Sequence, residues 1–379
     1  MAPRSFLLFA SALLAALHAY LGWRLLPDLA AAPWVEVSGV IFLLISLVLV
    51  PTGLLARGIK RQPLADRVAW AGLLAMGLFS SLFVLTLGRE MLLLGAWLTG
   101  TAGAGPTTWS ARAVPVVALL VTMIGFFNAR RVARVVTVEV PIRDLPAALH
   151  GFSIAQISDI HVGPTIKQGY LTAIVERVNA LKPDLIAVTG DLVDGSVAHL
   201  RRHTAPLADL RARHGTYFVT GNHEYYSNAP AWIVELRRLG LTVLLNEHVV
   251  LEHETARLVV AGVTDFSAHH FDEAQRSDPV KALAGAPAGT GVKLLLAHQP
   301  RSADAAATAG FDLQLSGHTH GGQFFPWNLF VPLQQPYTAG LHRLRELWVY
   351  TSRGTGYWGP PKRFGAPSEI THLRLVMAG

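Results

Sequence analysis

Asp159 and His161 stand two residues apart directly after the apolar run 152–157, and the same kind of juxtaposition recurs along the chain. The run 185–188 leads to Gly190, Asp191 and Asp194; 217–219 leads to Gly221, Asn222, His223 and Glu224. The run 292–296 leads to His298, and 313–315 leads to Gly317, His318, His320, Gly321 and Gly322. Carboxylate, imidazole and amide oxygen together are borderline-hard donors, suited to Mn, Zn or Fe. Asp159 and His161 can turn toward one ion, and Asp191 has two oxygens with which to bridge a pair. The His318-Thr319-His320 spacing lets neighbouring histidines of one loop serve two ions. Two ions ~3.5–4 Å apart suit in-line phosphoryl displacement, because the attacking and leaving oxygens are both stabilised. His223 is then left to act as a general acid.

Short strands alternating with helical patterns must carry these clusters. Strands are expected over 152–157, 185–188, 217–219, 241–245, 249–251, 258–263, 292–296, 313–315, 346–351 and 370–376, with helices over 197–212 and 230–239. Leu171, Ile174, Val178 and Leu181 share one helical face between the first two strands. Alternating βαβ units predict a sheet covered by helices. In such sheets the carboxyl ends of the strands converge on one crevice, so the polar clusters are expected to meet.

The ordered set D-x-H, G-D-x-x-D, G-N-H-[DE], a lone His and G-H-x-H resembles the calcineurin-like metallophosphoesterases over about residues 152–374. The closer likeness is to membrane-anchored bacterial members, which share His318-Thr319-His320-Gly321-Gly322-Gln323 and the glycine-rich segment around Gly354 and Gly356. The resemblance implies two packed mixed sheets sandwiched by helices. It assigns Asp159, His161, Asp191 and His320 to one divalent metal ion, and Asp191, Asn222, His298 and His318 to a second. His223 becomes the catalytic histidine, which steadies the phosphate and protonates the leaving group. Purple acid phosphatases place a tyrosine three residues after the bridging Asp; Asp194 stands there instead, so a ferric–tyrosinate centre is not expected. Arg353 and Arg363 flank the loop 354–361 and form a candidate phosphate clamp for substrate binding. Adjacent His269 and His270 read as a solvated loop, since neighbouring residues rarely serve one ion.

Before residue 130 the chain is a different physical object. Of its 379 residues 51% are apolar and 15% charged, against ~25% charged in soluble domains. Uncharged apolar stretches cover 6–23, 37–56, 68–88 and 113–129, each near the ~20 residues that cross a bilayer as a helix. Arg89 and Glu90 are expected to close the third span as an interfacial pair, and His18 to sit as a neutral histidine near an interface. The expected domains are therefore a bundle of four transmembrane helices over 1–130, a linker and first strand over 131–151, and an α/β phosphoesterase domain over 152–379. Residues 1–134 hold 11 Lys and Arg against 4 Asp and Glu, while the remainder is balanced at 21 and 21. The basic excess thus belongs to the helices, and no nucleic acid partner is expected. Eight Lys and Arg (Arg4, Arg57, Lys60, Arg61, Arg67, Arg130, Arg131, Arg134) flank one side of the spans and three (Arg24, Arg89, Arg112) the other. The positive-inside rule puts the catalytic domain in the cytoplasm. The absence of cysteine excludes disulfides and thiolate metal sites.

The expected activity is hydrolysis of a phosphoester or pyrophosphate bond by hydroxide activated at a dinuclear metal centre. The short chain between the fourth span and Asp159 keeps the site within tens of Å of the bilayer, and Tyr357, Trp358 and Phe364 form an aromatic tip suited to an interface. Both favour a lipid or lipid-linked phosphate, and the resemblance allows a UDP-diacylglucosamine-type pyrophosphatase. The alternatives are a hydrolase of soluble phosphodiesters with the helices as mere anchor, and an inactive membrane scaffold.

Overall fold

The structure is a computed structural model that describes residues 4–29 and 32–378, the side chains of Arg4 and Leu7 excepted. The part played by Arg4 in the charge asymmetry therefore lies outside the described residues. Two compact units emerge. One runs to Phe127 and includes Gly359–Lys362; the other comprises Asn128–Trp358 and the residues from Arg363 onward.

The first unit is built on α1 (Arg4–Leu25), α2 (Pro33–Leu55), α3 (Leu64–Leu98) and α4 (Ala104–Arg130). All four are long and apolar enough to cross a membrane. Leu21 and Leu25 of α1, Phe79 and Leu82 of α3, and Val114 and Ala118 of α4 form a shared core, with Leu43 of α2 packed against it, while Leu44, Ile45, Val48, Leu119 and Leu120 face outward. Apolar side chains on the outside are what a hydrocarbon solvent selects.

α3 runs ten residues beyond the expected span, so Arg89 and Glu90 lie within the helix. The reason is compensation: Arg89 is 2% exposed and donates to the Asp28 carboxylate, to the Arg24 and Thr107 carbonyls at 3.0 and 3.2 Å, and to Ser110 Oγ at 3.1 Å. Glu90 accepts from Arg24 Nε at 2.9 Å. With its charges paired across helices, the Met- and Leu-rich stretch that follows simply continues the helix. His18 is likewise buried, its ring bonded to Leu14 O and Ser46 Oγ at 2.9 and 3.1 Å and stacked on Phe79.

The second unit follows as β1 (Arg134–Ile142), β2 (Ser153–Ile157), α5 (Gln168–Ala180), β3 (Leu185–Val188), α6 (Val197–Thr204), β4 (Thr216–Phe218), α7 (Asn222–Tyr226), α8 (Ala229–Arg238) and β5 (Thr242–Val243). It continues through β6 (Glu247–His253), β7 (Ala256–Gly262), α9 (Pro279–Leu283), β8 (Val292–Leu296), α10 (Ala303–Ala309), β9 (Leu313–Ser316), β10 (Gly340–Leu344), β11 (Leu347–Thr351) and β12 (Glu369–Met377). One sheet has the order β1-β12-β2-β3-β4-β5 and the other β10-β11-β9-β8-β7-β6. Both are mixed: β2, β3, β4 and β5 run parallel with antiparallel β12 beside β2, and β7, β8, β9 and β11 run parallel between antiparallel β6 and β10.

Alternation along each strand builds the layers. Leu185, Ala187, Tyr217 and Val219 point to a core shared with Leu258, Leu294, Leu296 and Leu313 of the opposite sheet. Ile186, Val188 and Phe218 point the other way, onto Leu171, Ile174 and Trp232 of the helices. Strands buried on both faces explain why the sequence shows plain apolar runs. The helix expected over 197–212 stops at Thr204 and continues as a 3₁₀ turn over Ala205–Asp209, because Pro206 lacks the donor an α-helix would need there.

Candidate metal centre

β2, β3, β4, β8 and β9 end in the polar clusters, and the loops after them are stitched to one another. Asp159 N donates to Gly190 O at 3.0 Å, Gly317 N to His298 O at 2.9 Å, and His318 N to both Asp159 carboxylate oxygens at 3.0 Å. Asp159, His161, Asp191, His318 and His320 all have positive φ, between 51° and 69°. Non-glycine residues rarely adopt that region, and such strain persists where the surroundings over-determine it, as at functional sites. Two glycines make the approach possible. A Cβ on Gly221 would lie 2.2 Å from Asp191 Oδ1, and one on Gly317 would lie 2.2 Å from Asp159 Oδ2.

Besides His161 with Asp194 and His223, the donors gather in two groups, buried but for the half-buried His318. In one, His161 Nε2 and His320 Nε2 face each other at 3.0 Å, with Asp159 Oδ1 3.5 Å from the latter. In the other, His298 Nε2 lies 3.2 Å from His318 Nδ1 and 3.2 Å from Asp191 Oδ2. Asp191 Oδ2 is also 3.9 Å from His161 Nε2, which puts this carboxylate between the groups. Asn222 Oδ1 is buried without a hydrogen-bond partner among the described residues. An orphaned amide oxygen and imidazole nitrogens facing each other are costly alone and suit cations. The donor set therefore fits divalent metals. His298 is further oriented by Nδ1, 2.7 Å from Thr189 O; that hydrogen bond leaves the Nε2 lone pair for a ligand.

The electrostatics separate the histidines. Burial pushes His318 down to about 3, with His298 adding to the shift, and burial together with the Arg363 charge holds His320 well below its ordinary range. Burial would raise Asp191, but His298 and His223 outweigh it and keep the carboxylate ionised. Asp159 is pushed up by burial against the opposing pull of His298. Burial also works against protonated His223, yet the Asp191 charge and the Asp194 hydrogen bond lift it to about 9. Burial works against protonated His298 too, yet the Asp191 charge raises it well above its ordinary range; His318 and His320, but not His298, therefore stand in the neutral state that metal ligation requires.

His223 stands differently from the other ring donors. Its Nδ1 is 2.5 Å from Asp194 Oδ1, its backbone N donates to Asp191 Oδ1 at 2.8 Å, and its Nε2 stays 4.0 Å from Asp191 Oδ2. Trp358, 45% exposed, sets its ring edge-on to His223 with centroids 5.9 Å apart. Asp194 and Glu224 belong to the spelled motifs, but spacing alone did not single them out. Glu224 is fully buried and accepts from the backbone of Gly221, Asp191 and Leu192 at 2.7, 2.9 and 2.8 Å. It thereby ties the loop after β3 to the turn before α7.

The two arginines sit apart in kind. Arg353 pairs with Glu369 Oε2 at 2.8 Å and remains partly exposed. Arg363 is 1% exposed; its guanidinium donates to the carbonyls of Gly356 and His320 and meets His320 Nδ1 at 3.0 Å. Its N–H groups are thus engaged by the chain itself. Tyr357 is buried as well, with its hydroxyl 2.9 Å from Arg130 Nη1, so of the expected aromatic tip Trp358 is the exposed member. His269 and His270 lie on a 3₁₀ turn and belong to neither donor group.

Residues 152–322 match the family model described as calcineurin-like phosphoesterase. A Bos taurus protein named "Transmembrane protein with metallophosphoesterase domain" is 41% identical over 75% of this chain and 67% of its own length. A Danio rerio protein of the same name is 39% identical over 69% of this chain and 63% of its own length. A Helicobacter pylori protein named as an uncharacterized metallophosphoesterase is 39% identical over 59% of each chain. The chain thus spans about two thirds or less of the length of these relatives.

Proposed function

The chain belongs to the calcineurin-like phosphoesterase family, and from that premise we propose which residues do its chemistry, on what substrate and on which side of the membrane. In this reading Asp159, His161, Asp191 and His320 hold one divalent ion, and Asp191, Asn222, His298 and His318 hold a second. When bound, such a pair polarises the phosphoryl group and activates water for in-line attack. The observation that carries the reading is the pair of donor groups, with ring nitrogens 3.0 and 3.2 Å apart and Asp191 between them.

The remaining steps fall to the chain's own side chains. Asp194 anchors Nδ1 of His223, so the proton to be given away resides on Nε2. From there it passes to the departing oxygen as the ester bond breaks. Glu224 and Arg363 do not meet the substrate in this scheme. The first keeps the Asp191 and Asn222 loops in register, and the second braces the turn at His320 by donating to its carbonyl.

For the substrate we favour a phosphorylated lipid or lipid-linked nucleotide at the cytoplasmic face. Exposed Trp358 beside His223, the four apolar helices of the same chain and the Lys and Arg asymmetry support it. Detergent-purified protein, stripped with chelator and reloaded with Mn, Zn or Fe, is to be assayed against lipid and water-soluble monoesters, diesters and pyrophosphates. Activity is expected to vanish on stripping, return on loading and be highest on a lipid. Soluble diesters cleaved far faster than every lipid offered would overturn the substrate; full activity after stripping would overturn the metal centre.

A further inference from the structure

The His-rich motif lies within a stretch, 313–342, that holds not a single Asp, Glu, Lys or Arg. Within it Phe325, Trp327, Leu329, Phe330 and Leu333 are 55%, 41%, 62%, 52% and 80% exposed. A water-facing surface seldom presents so many large apolar groups within nine residues. The backbone beneath them is self-satisfied: two 3₁₀ turns, Trp327–Leu329 and Val331–Leu333, pair Leu329 N with Pro326 O, Phe330 N with Trp327 O and Leu333 N with Phe330 O at 2.9, 3.0 and 3.1 Å. Internal pairing of backbone groups is what a segment entering a low-dielectric medium needs.

The segment is also braced against the metal centre. Gln323 donates from Nε2 to Trp358 O at 2.7 Å and accepts from Trp358 N at 2.8 Å, while Phe325 N donates to Phe364 O at 2.9 Å. The apolar surface is therefore joined to Trp358 and, through its ring, to His223.

We propose that this segment, together with Trp358, is a membrane-docking surface that settles at the headgroup–acyl boundary of a lipid bilayer. Trp and Phe with aliphatic neighbours are the side chains that such boundaries favour. A protein partner typically calls for charged groups at the rim; this stretch offers Asn328 and Gln334 but no charge of its own, with Arg301 donating to Gln334 O beside it. A bilayer is moreover always within reach, since α4 is apolar enough to span one and β1 begins at Arg134, just after α4 ends at Arg130. The inference extends the proposed lipid substrate without resting on it: docking orients the site whatever bond it cleaves.

The chain has no native cysteine, so one introduced thiol labels uniquely. Full-length Phe330→Cys and Leu333→Cys, with Glu176→Cys on α5 as control, are to carry an environment-sensitive fluorophore in nanodiscs of phosphatidylcholine with or without shallow nitroxide-labelled lipid. No substrate is added, so failure here is separate from failure of the lipid-substrate assay. Blue-shifted emission and at least twofold quenching by the nitroxide lipid are expected at 330 and 333, with neither at 176. Phe330→Glu placed beside the label at 333 should abolish the quenching while bound metal stays at the unsubstituted level. Quenching at 330 and 333 no greater than at 176 overturns the proposal. So does self-quenching that requires two protein copies per disc without a nitroxide effect, which would assign the surface to a second copy of this chain.

Discussion

His223 meets two carboxylates that act on it differently. Asp194 takes its Nδ1, and Asp191 takes its backbone N–H, so the ring is held by one acid and the main chain by the other. In the proposed roles His223→Ala removes a proton donor and no metal ligand. Turnover should fall ~10²–10⁴-fold, the usual contribution of a general acid, with metal content by elemental analysis unchanged; loss of metal would make His223 a ligand. Asp194→Asn tests the anchor. Burial disfavours the His223 cation, and the two carboxylates lift its pKa to about 9. A donor competent only when protonated is active below that pKa and fails above it. Removing the Asp194 charge lowers the pKa, so the alkaline limb of the pH–rate profile should move to lower pH. A limb that stays in place would sever Asp194 from proton transfer.

At the scale of elements, the site is a property of strand ends and the loops that link them. β2, β3 and β4 deliver Asp159, Asp191 and Asn222 side by side because they are parallel neighbours, and β8 with β9 delivers His298, His318 and His320 from the second sheet. Gly221 sits where the loops after β3 and β4 touch. Gly221→Val forces the backbone off Asp191, and we expect a loss of metal occupancy together with ~1–3 kcal/mol of stability, the range for overpacking. Chemical denaturation and metal analysis measure the two together; a variant with wild-type occupancy would show that the loop spacing is not limiting. α3 carries the same lesson in the apolar unit, since its length follows from the partners of Arg89 rather than from where the uncharged run ends.

For the whole molecule, the division of charge is the quantity that orients it. Eight Lys and Arg on one flank against three on the other predict that a reporter fused after Gly379 is active only if it functions inside the cell. One fused near Gly103 should report the outer side. The reverse pattern would invert the orientation and leave the chemistry of the metal centre untouched. The helical unit supplies the candidate membrane spans, and the sandwich supplies the metal donors.

From the sequence by itself came the kind of chemistry, the two-part architecture and the strands that frame the site. Each rests on local quantities: residue type, period and the length of an apolar run. Tertiary packing decided what those quantities do not contain. Asp194 and His223 are 29 residues apart, and Arg363 and His320 are 43 apart; no spacing rule joins them, because their meeting depends on how loops at neighbouring strand ends fold over one another. Tyr357 and Trp358 are adjacent and equally aromatic, yet the first is buried against Thr165 and Arg130 while the second lies open beside His223. The apolar stretch 325–333 reads in sequence like any core segment. That its side chains face outward is seen in the folded chain, because outward or inward placement depends on what else packs beside a loop and not on its own residue types.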